Sequence, residues 1–366
     1  MSIKISGTTV IDNNRKANID MLRLSGKTLS TLGGTVGQLV YVTDANGGQG
    51  TVMIRNATEW VPAFGYSGTP IGDGGIEYVS NGFKYHAFGV GTNTFKWTGG
   101  NIEILLIGGG GGGGAGRTSG GGGAGGLSVI SAYLPGSTHT VSVGAGSAGA
   151  APYPGPYGNA VANSNGGNTW IFQESGNTYV RGGGGGWPAK TGGSGAGGNS
   201  QASAGGGGSS GPGYVNPGGT GTGPPFPSNP NVAAYLTGAG GGGSAAKGTD
   251  SPRANTVAGR GGNGHSWPSL ASLNPAGSPV AWVYSPSTAP VAPPSSSALG
   301  VCGGGTGGFM PGYGSPGGST PVGGGGAVNQ AGRSNGAGGG GGSWAHSANY
   351  AGQKGGNGLC IVRYPI

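Results

Sequence analysis

The sequence predicts an all-β fold in which polyglycine-II helices replace much of the usual core. Three observations carry that expectation. The 366 residues include 97 glycines, set in runs rather than at every third position, which excludes a collagen triple helix. Short apolar stretches alternate with the runs: Ile102-Glu103-Ile104-Leu105-Leu106-Ile107 leads straight into seven glycines, residues 108–114. Such a run is no ordinary helix, where each Gly costs about 1 kcal/mol relative to Ala, and it has no side chains to pack as a core strand. Finally, charged residues are only 7% while aromatics reach 8% and are spread along the whole length, which is not the composition of a disordered chain.

Taken in order, residues 1–35 alternate weakly and hold too few apolar positions for a core of their own. They read as an N-terminal arm for attachment and oligomerisation. Residues 36–65 read as a β-hairpin module, with strands over 38–43 and 51–55 and Glu59-Trp60-Val61 closing it. The third region, 66–366, is expected to be one glycine-rich domain with a β-sandwich-like platform. Its strands are predicted at 76–79, 83–88, 94–97 and 102–107, with Asn81-Gly82 as a hairpin turn. Alternation of Phe83, Tyr85 and Ala87 with Lys84 and His86 predicts a sheet with one wet face. Later strands are predicted at 127–134, 138–143, 169–172, 178–180 and 359–364, the last returning to close the sheet that 102–107 begins.

Between them lie the glycine tracts 108–126, 182–186, 192–198, 205–208, 238–243, 303–308, 323–326 and 336–342. Buried backbone must still pair its N–H and C=O groups. A three-residue-per-turn helix has no internal hydrogen bonds, so glycine tracts in that conformation can lie side by side and bond to one another. The ordering entropy is large, and many mutual bonds are needed to offset it. Stacked tracts then present loops at their far end. Proline-stiffened loops carry Tyr153 and Tyr157; Tyr214, Phe226 and Tyr235; Trp267, Trp282 and Tyr284; and Phe309 and Tyr313. Aromatics on stiff loops suit a recognition surface, so these ten are the candidate receptor-binding residues.

Several chemistries are excluded. Gly108, Gly110 and Gly113 after a strand match a dinucleotide fingerprint on spacing alone. More glycine follows instead of a helix, and the next acid after Glu103 is Glu174. Arg181-Gly182-Gly183 and Arg260-Gly261-Gly262 are isolated, unlike repeating nucleic-acid tracts. Residues 108–366 offer only Glu174 and Asp250 as carboxylates for a glycosidase, and His139, His265 and His346 are scattered. No catalytic residue, metal site or cofactor is expected. Cys302 and Cys360 are the only cysteines and read as reduced thiols, with a bridge between them left open. Met1-Ser2-Ile3-Lys4-Ile5-Ser6 has no apolar h-region, which predicts synthesis and assembly in a cytoplasm. Residues 108–366 carry nine basic side chains against two acidic ones, which favours anionic partners.

Blocks that begin in the register 76–126 resemble a known family. Residues 83–88, then Gly91-Thr92-Asn93-Thr94-Phe95, then 102–107 with its glycine run, look like the start of the glycine-rich domain of bacteriophage, notably cyanophage, tail-fibre proteins. Tyr133-Leu134-Pro135-Gly136, residues 139–146, Asn165-Gly166-Gly167-Asn168-Thr169 and residues 355–364 match its later blocks in order, over about three-quarters of the chain. Residues 37–44 with Trp60 are similar to a small repeat module of phage fibres. The resemblance also extends to polyglycine-II phage adhesins. It implies a virion receptor-binding protein, usually a homotrimer, that docks on tail or baseplate proteins through residues 1–35. The target it implies is a host surface polysaccharide or outer-membrane protein, bound without catalysis. A structural or ice-binding polyglycine-II protein is the alternative.

Overall fold

The computed structural model describes residues 3–5, 8–11, 26–27, 39–42, 51–55, 60–62, 71–115, 119–134, 136–152, 164–171, 178–180, 193–197, 215–220, 237–251, 257–273, 282, 300–308, 324–332, 338–342 and 351–366. The chain divides into two units, Met1–Thr69 and Pro70–Ile366.

In the first unit, β1 (Ile3–Ile5) pairs antiparallel with β2 (Thr8–Ile11). A four-stranded sheet follows in the order β3 (Gly26–Lys27), β4 (Leu39–Val42), β5 (Thr51–Arg55), β6 (Trp60–Pro62). The hairpin expected over 36–65 is β4 with β5, closed by β6; β3 joins β4 in parallel.

The second unit is built on two five-stranded antiparallel sheets. Its strands are β7 (Gly72–Asp73), β8 (Ile76–Ser80), β9 (Phe83–Phe88), β10 (Gly91–Trp97), β11 (Gly100–Ile107), β12 (Leu127–Leu134), β13 (Ser137–Val143), β14 (Thr169–Ile171), β15 (Thr178–Val180), β16 (His265–Ser266), β17 (Gly300–Val301) and β18 (Leu359–Pro365). Asn81 and Gly82 take left-handed φ of 51° and 76°, as the tight turn between β8 and β9 requires. The inner sheet runs β12-β11-β18-β9-β8 and the outer sheet β15-β14-β13-β10-β7. As expected, β18 returns to pair with β11, Glu103 opposite Arg363 and Ile107 opposite Leu359.

The two sheets face each other across one apolar layer. Phe88, Ile102, Ile104, Leu106, Cys360, Val362 and Tyr364 of the inner sheet meet Phe95, Trp97, Val141, Val143 and Ile171 of the outer one. The opposite face of the inner sheet carries a second cluster: Tyr85, Leu105, Ile107, Leu127, Leu359 and Ile361 are covered by Trp267, Leu270, Trp282, Val301 and Cys302. Burial on both faces explains why β11 ends in four consecutive apolar residues. It also corrects the wet face expected for β9, where residues 85–88 are all buried. The wet face belongs to the outer sheet, whose β10 alternates exposed and buried positions near its end.

Above the sheets the glycine tracts form a hydrogen-bonded lattice. In the tract 108–114, Gly108, Gly111 and Gly114 donate to Gly126, Gly123 and Gly120, while Gly110 and Gly113 donate to Gly356 and Gln353. Gly109 donates to Gly167. Donors to any one neighbour thus recur every third residue. The tract 238–243 is surrounded on six sides: it bonds to 119–124, to Gly195, to Gly219, to 246–249, to 259–262 and to 305–308. Neighbours run both parallel (Gly121 to Ala239, Ala124 to Gly242) and antiparallel (Gly238 to Gly308, Gly241 to Gly305). Packing this close leaves no room for a Cβ. One on Gly241 would lie 2.1 Å from the Gly122 carbonyl oxygen, and one on Gly113 would lie 2.0 Å from that of Gly341.

Gly241→Ala is therefore expected to destabilise the protein by about 3 kcal/mol, at the upper end of overpacking costs. Gly82→Ala meets nothing within 4 Å and should cost only the strain of a left-handed alanine, about 1 kcal/mol. Urea unfolding of the two variants checks the difference.

Candidate functional site

The hydrogen bonds fix where each loop leaves the lattice. From β11 the chain ascends through 108–115 and returns antiparallel through 119–126 to β12. From β13 it ascends again through 144–152, parallel to 108–114, as Ser147 donates to Gly110 and Ala150 to Gly113. It ascends in 193–197, antiparallel to 119–124, and descends in 238–243. It ascends in 246–251, descends in 259–264, ascends in 302–308 and descends in 351–358 to β18. The chain therefore leaves the described lattice at one end, away from the strands, after residues 152, 197, 220, 251, 308 and 342. Tyr153, Tyr157, Tyr214, Phe226, Tyr235, Phe309 and Tyr313 belong to the segments that follow and lie outside the described residues.

Trp267, Trp282 and Tyr284 belong to a segment that leaves from the opposite end. Its base is the pairing of β16 with β17, His265 opposite Val301. Tyr284 lies outside the described residues. Both tryptophans, expected on an exposed loop, are buried in the cluster on the inner sheet, Trp282 to 2% exposure. An apolar sheet face must be covered, and this segment covers it.

Trp282 is held by a buried cation. The Arg363 guanidinium lies 4.0 Å from the centre of the Trp282 ring and 4.7 Å from that of Phe83. Its Nε and Nη2 both reach Glu103 Oε2 at 2.6 Å. Arg363 and Glu103 stand opposite each other on adjacent strands, so the strand register itself brings the charges together. Tyr85 meets Trp282 edge to face at 6.5 Å and stacks on Tyr78 at 4.8 Å. Sequence reasoning missed this box. The signal available was one charge in each of two otherwise apolar stretches, Glu103 and Arg363.

A second polar cluster ties β7 to the inner sheet. His86, fully buried, bonds the Gly74 carbonyl through Nδ1 at 2.8 Å, which makes Nδ1 the protonated nitrogen. Nε2 then accepts from the Tyr364 hydroxyl at 3.2 Å, and that hydroxyl accepts from the Gly72 N–H at 2.8 Å. Burial pushes the His86 imidazole below its ordinary 6.5, partly opposed by the Gly74 bond and by Glu77. Burial likewise lowers His265, whose Nδ1 lies 2.9 Å from Ser244 Oγ. Ser244 is 3% exposed and sits in the turn that ends the 238–243 tract.

Asp250, one of the two carboxylates beyond Glu103, accepts from the Thr220 N–H at 2.6 Å and pairs with Lys247 at 3.2 Å, and these contacts hold its carboxyl below the usual range. Glu174 lies outside the described residues. Among the described residues no three of His, Cys, Asp and Glu gather as a metal site would require. Cys302 and Cys360 are free thiols in the two different core clusters, and burial raises both well above the ordinary thiol range.

With this architecture in place, the chain matches the family described as the glycine-rich domain over residues 88–365, from the end of β9 to the end of β18, and it belongs to that family. No curated protein matches it.

Glu103→Gln leaves Arg363 buried without a counter-charge and is expected to cost about 3–5 kcal/mol; Trp282→Ala should cost a similar amount by opening the cover of the inner sheet. Chemical denaturation measures both. For His86 and His265, the unfolded chain binds protons below pH 6.5 that the native chain refuses. Stability is thus full above 6.5 and falls as pH drops beneath it. Thermal melts between neutral and mildly acid pH should show this fall, reduced in His86→Gln.

Proposed function

We propose that the chain is a bacteriophage tail-fibre receptor-binding protein. It attaches to tail or baseplate proteins through residues 1–35 and binds a host surface polysaccharide or outer-membrane protein, without catalysis, through the far-end loops. One observation carries most weight. The described lattice releases the chain at its far end after residues 152, 220 and 308, and six of the ten candidate aromatics, Tyr153, Tyr157, Phe226, Tyr235, Phe309 and Tyr313, follow those exits in the sequence; Tyr214 instead directly precedes the ascending run that begins at Val215 near the strands. A rigid frame that gathers stiff, aromatic-bearing loops at one end suits recognition of a surface, because little loop entropy remains to be lost on binding. The ordered sequence blocks point to the phage class, and the cationic glycine-rich region suits the anionic envelope of a bacterium. The period-three bonding supports polyglycine-II conformation for the tracts.

One feature favours the second reading. Ala145, Ala148 and Ala151 are exposed at three-residue spacing along an outer tract, a short regular array of the kind that ice binding would use. Thermal hysteresis in dilute solution would support that reading over adhesion.

The adhesin reading is tested by pull-down of bacterial envelope fractions with the full chain. Phe309→Ala with Tyr313→Ala is expected to lower capture at least tenfold, about 1.4 kcal/mol, with unfolding curves unchanged. Capture of no envelope fraction by the parent chain, or release of reducing sugar from one, would overturn it.

A further inference from the structure

The two sheets have four edges, and three are protected. β7 is two residues long and carries Asp73. β15 is three residues long. β8 carries Glu77, ion-paired with Lys84 at 2.8 Å. β12 differs. It runs eight residues, Leu127-Ser128-Val129-Ile130-Ser131-Ala132-Tyr133-Leu134, without a charge or a proline. It pairs residue for residue with β11 along its whole length, and among the described residues no strand pairs its other side. Its ends are closed, with Leu127, Ser128 and Leu134 buried and the Leu134 carbonyl accepting from Trp97 Nε1 at 3.1 Å. The open stretch is the middle, where Ser131 is exposed and Val129, Ile130 and Ala132 are half-buried. Long, uncharged edges are what natural sheets avoid unless something pairs with them.

We propose that β12 is an assembly edge at which two copies of this chain pair antiparallel across a two-fold axis through Ser131. The strand is suited to itself. Having no charge, it offers nothing to select a charged partner and nothing to repel its own copy. The pleat then sets the register. Val129 packs towards the cluster containing Tyr85 and Trp282, and Ile130 towards the layer between the sheets. A two-fold that continues the sheet keeps like faces together, so odd positions must oppose odd ones. The axis therefore passes through a residue, and Ser131 is the exposed one at the centre of the strand. This register sets position 129 of one chain opposite position 133 of the other, on the same face of the joined sheet. Glu103, the β11 neighbour of Ser131, brings no free charge to the seam because Arg363 holds it at 2.6 Å. The pairing joins glycine-rich domains, and it depends neither on what the loops bind nor on assembly through residues 1–35.

Ser131→Cys in the full chain tests the seam. Directly opposed residues on antiparallel strands lie within disulfide reach. The two native thiols are fully buried and do not compete. Mild oxidation should give a band of twice the chain mass on a non-reducing denaturing gel, at least tenfold stronger than in Ser137→Cys, an exposed position on β13. Cross-linking no stronger than in Ser137→Cys would overturn the proposal. Ser131→Lys places like charges on the axis and should weaken association roughly tenfold by sedimentation, with the circular dichroism unchanged. A parent chain that sediments as a monomer, or an assembly whose mass Ser131→Lys leaves unaltered, overturns it as well. Should Ser131→Lys fail to fold, the cross-linking comparison decides alone.

Discussion

Backbone hydrogen bonding between glycine tracts is the constraint on which the second unit depends. In an ordinary core, side chains exclude water and the backbone pairs within its own helices and sheets. Here the tract 238–243 pairs with six neighbouring segments, and the space a Cβ would fill is occupied by a carbonyl of the next tract. Glycine is needed in these tracts for proximity more than for conformational freedom. The entropy of ordering them is offset by the many hydrogen bonds that the described tracts make to one another.

That lattice cannot begin or end by itself, and the sandwich supplies its boundary. The inner sheet feeds 108–115 upward from β11, receives 119–126 into β12 and receives 351–358 into β18. Its two apolar faces are satisfied differently, one by the outer sheet and one by the segment bearing Trp267 and Trp282. Arg363 links the two kinds of structure: its strand pairing comes from the sheet, its counter-ion from Glu103 and its cover from Trp282. A buried ion pair alone is weak evidence of stability. Its effect here is to fix which loop lies on the sheet.

Much of the fold was legible in the sequence. Every main strand was expected within a few residues, because apolar runs bounded by glycine leave little alternative, and β18 was expected to return to β11. The β10 strand began earlier than 94 because residues 91–93 pair with 141–143, a contact no local pattern announces. Lys84 and His86 alternate with aromatics in β9, a pattern that predicts one wet face. His86 is in fact buried by its bonds to Gly74 and Tyr364, residues far apart in the chain. Loop composition singles out the candidate aromatics, and composition cannot tell a loop that projects from one that lies down. Trp267 and Trp282 lie down because the inner sheet has a second apolar face, and that followed only from the sheet order.

The order of strands also constrains how the molecule is made. The central strand of the inner sheet is β18, residues 359–365, while its neighbours β9 and β11 lie more than two hundred residues earlier. The tract 108–114 likewise bonds to 353–356. Neither the sheet nor the lattice can close until residue 365 has been synthesised, so the chain must remain open through most of its translation. Contacts this distant in sequence make for slow folding. Fragments truncated before β18 would lack the strand that joins the two halves of the inner sheet, and a growing chain would have no stable stopping point short of the whole domain.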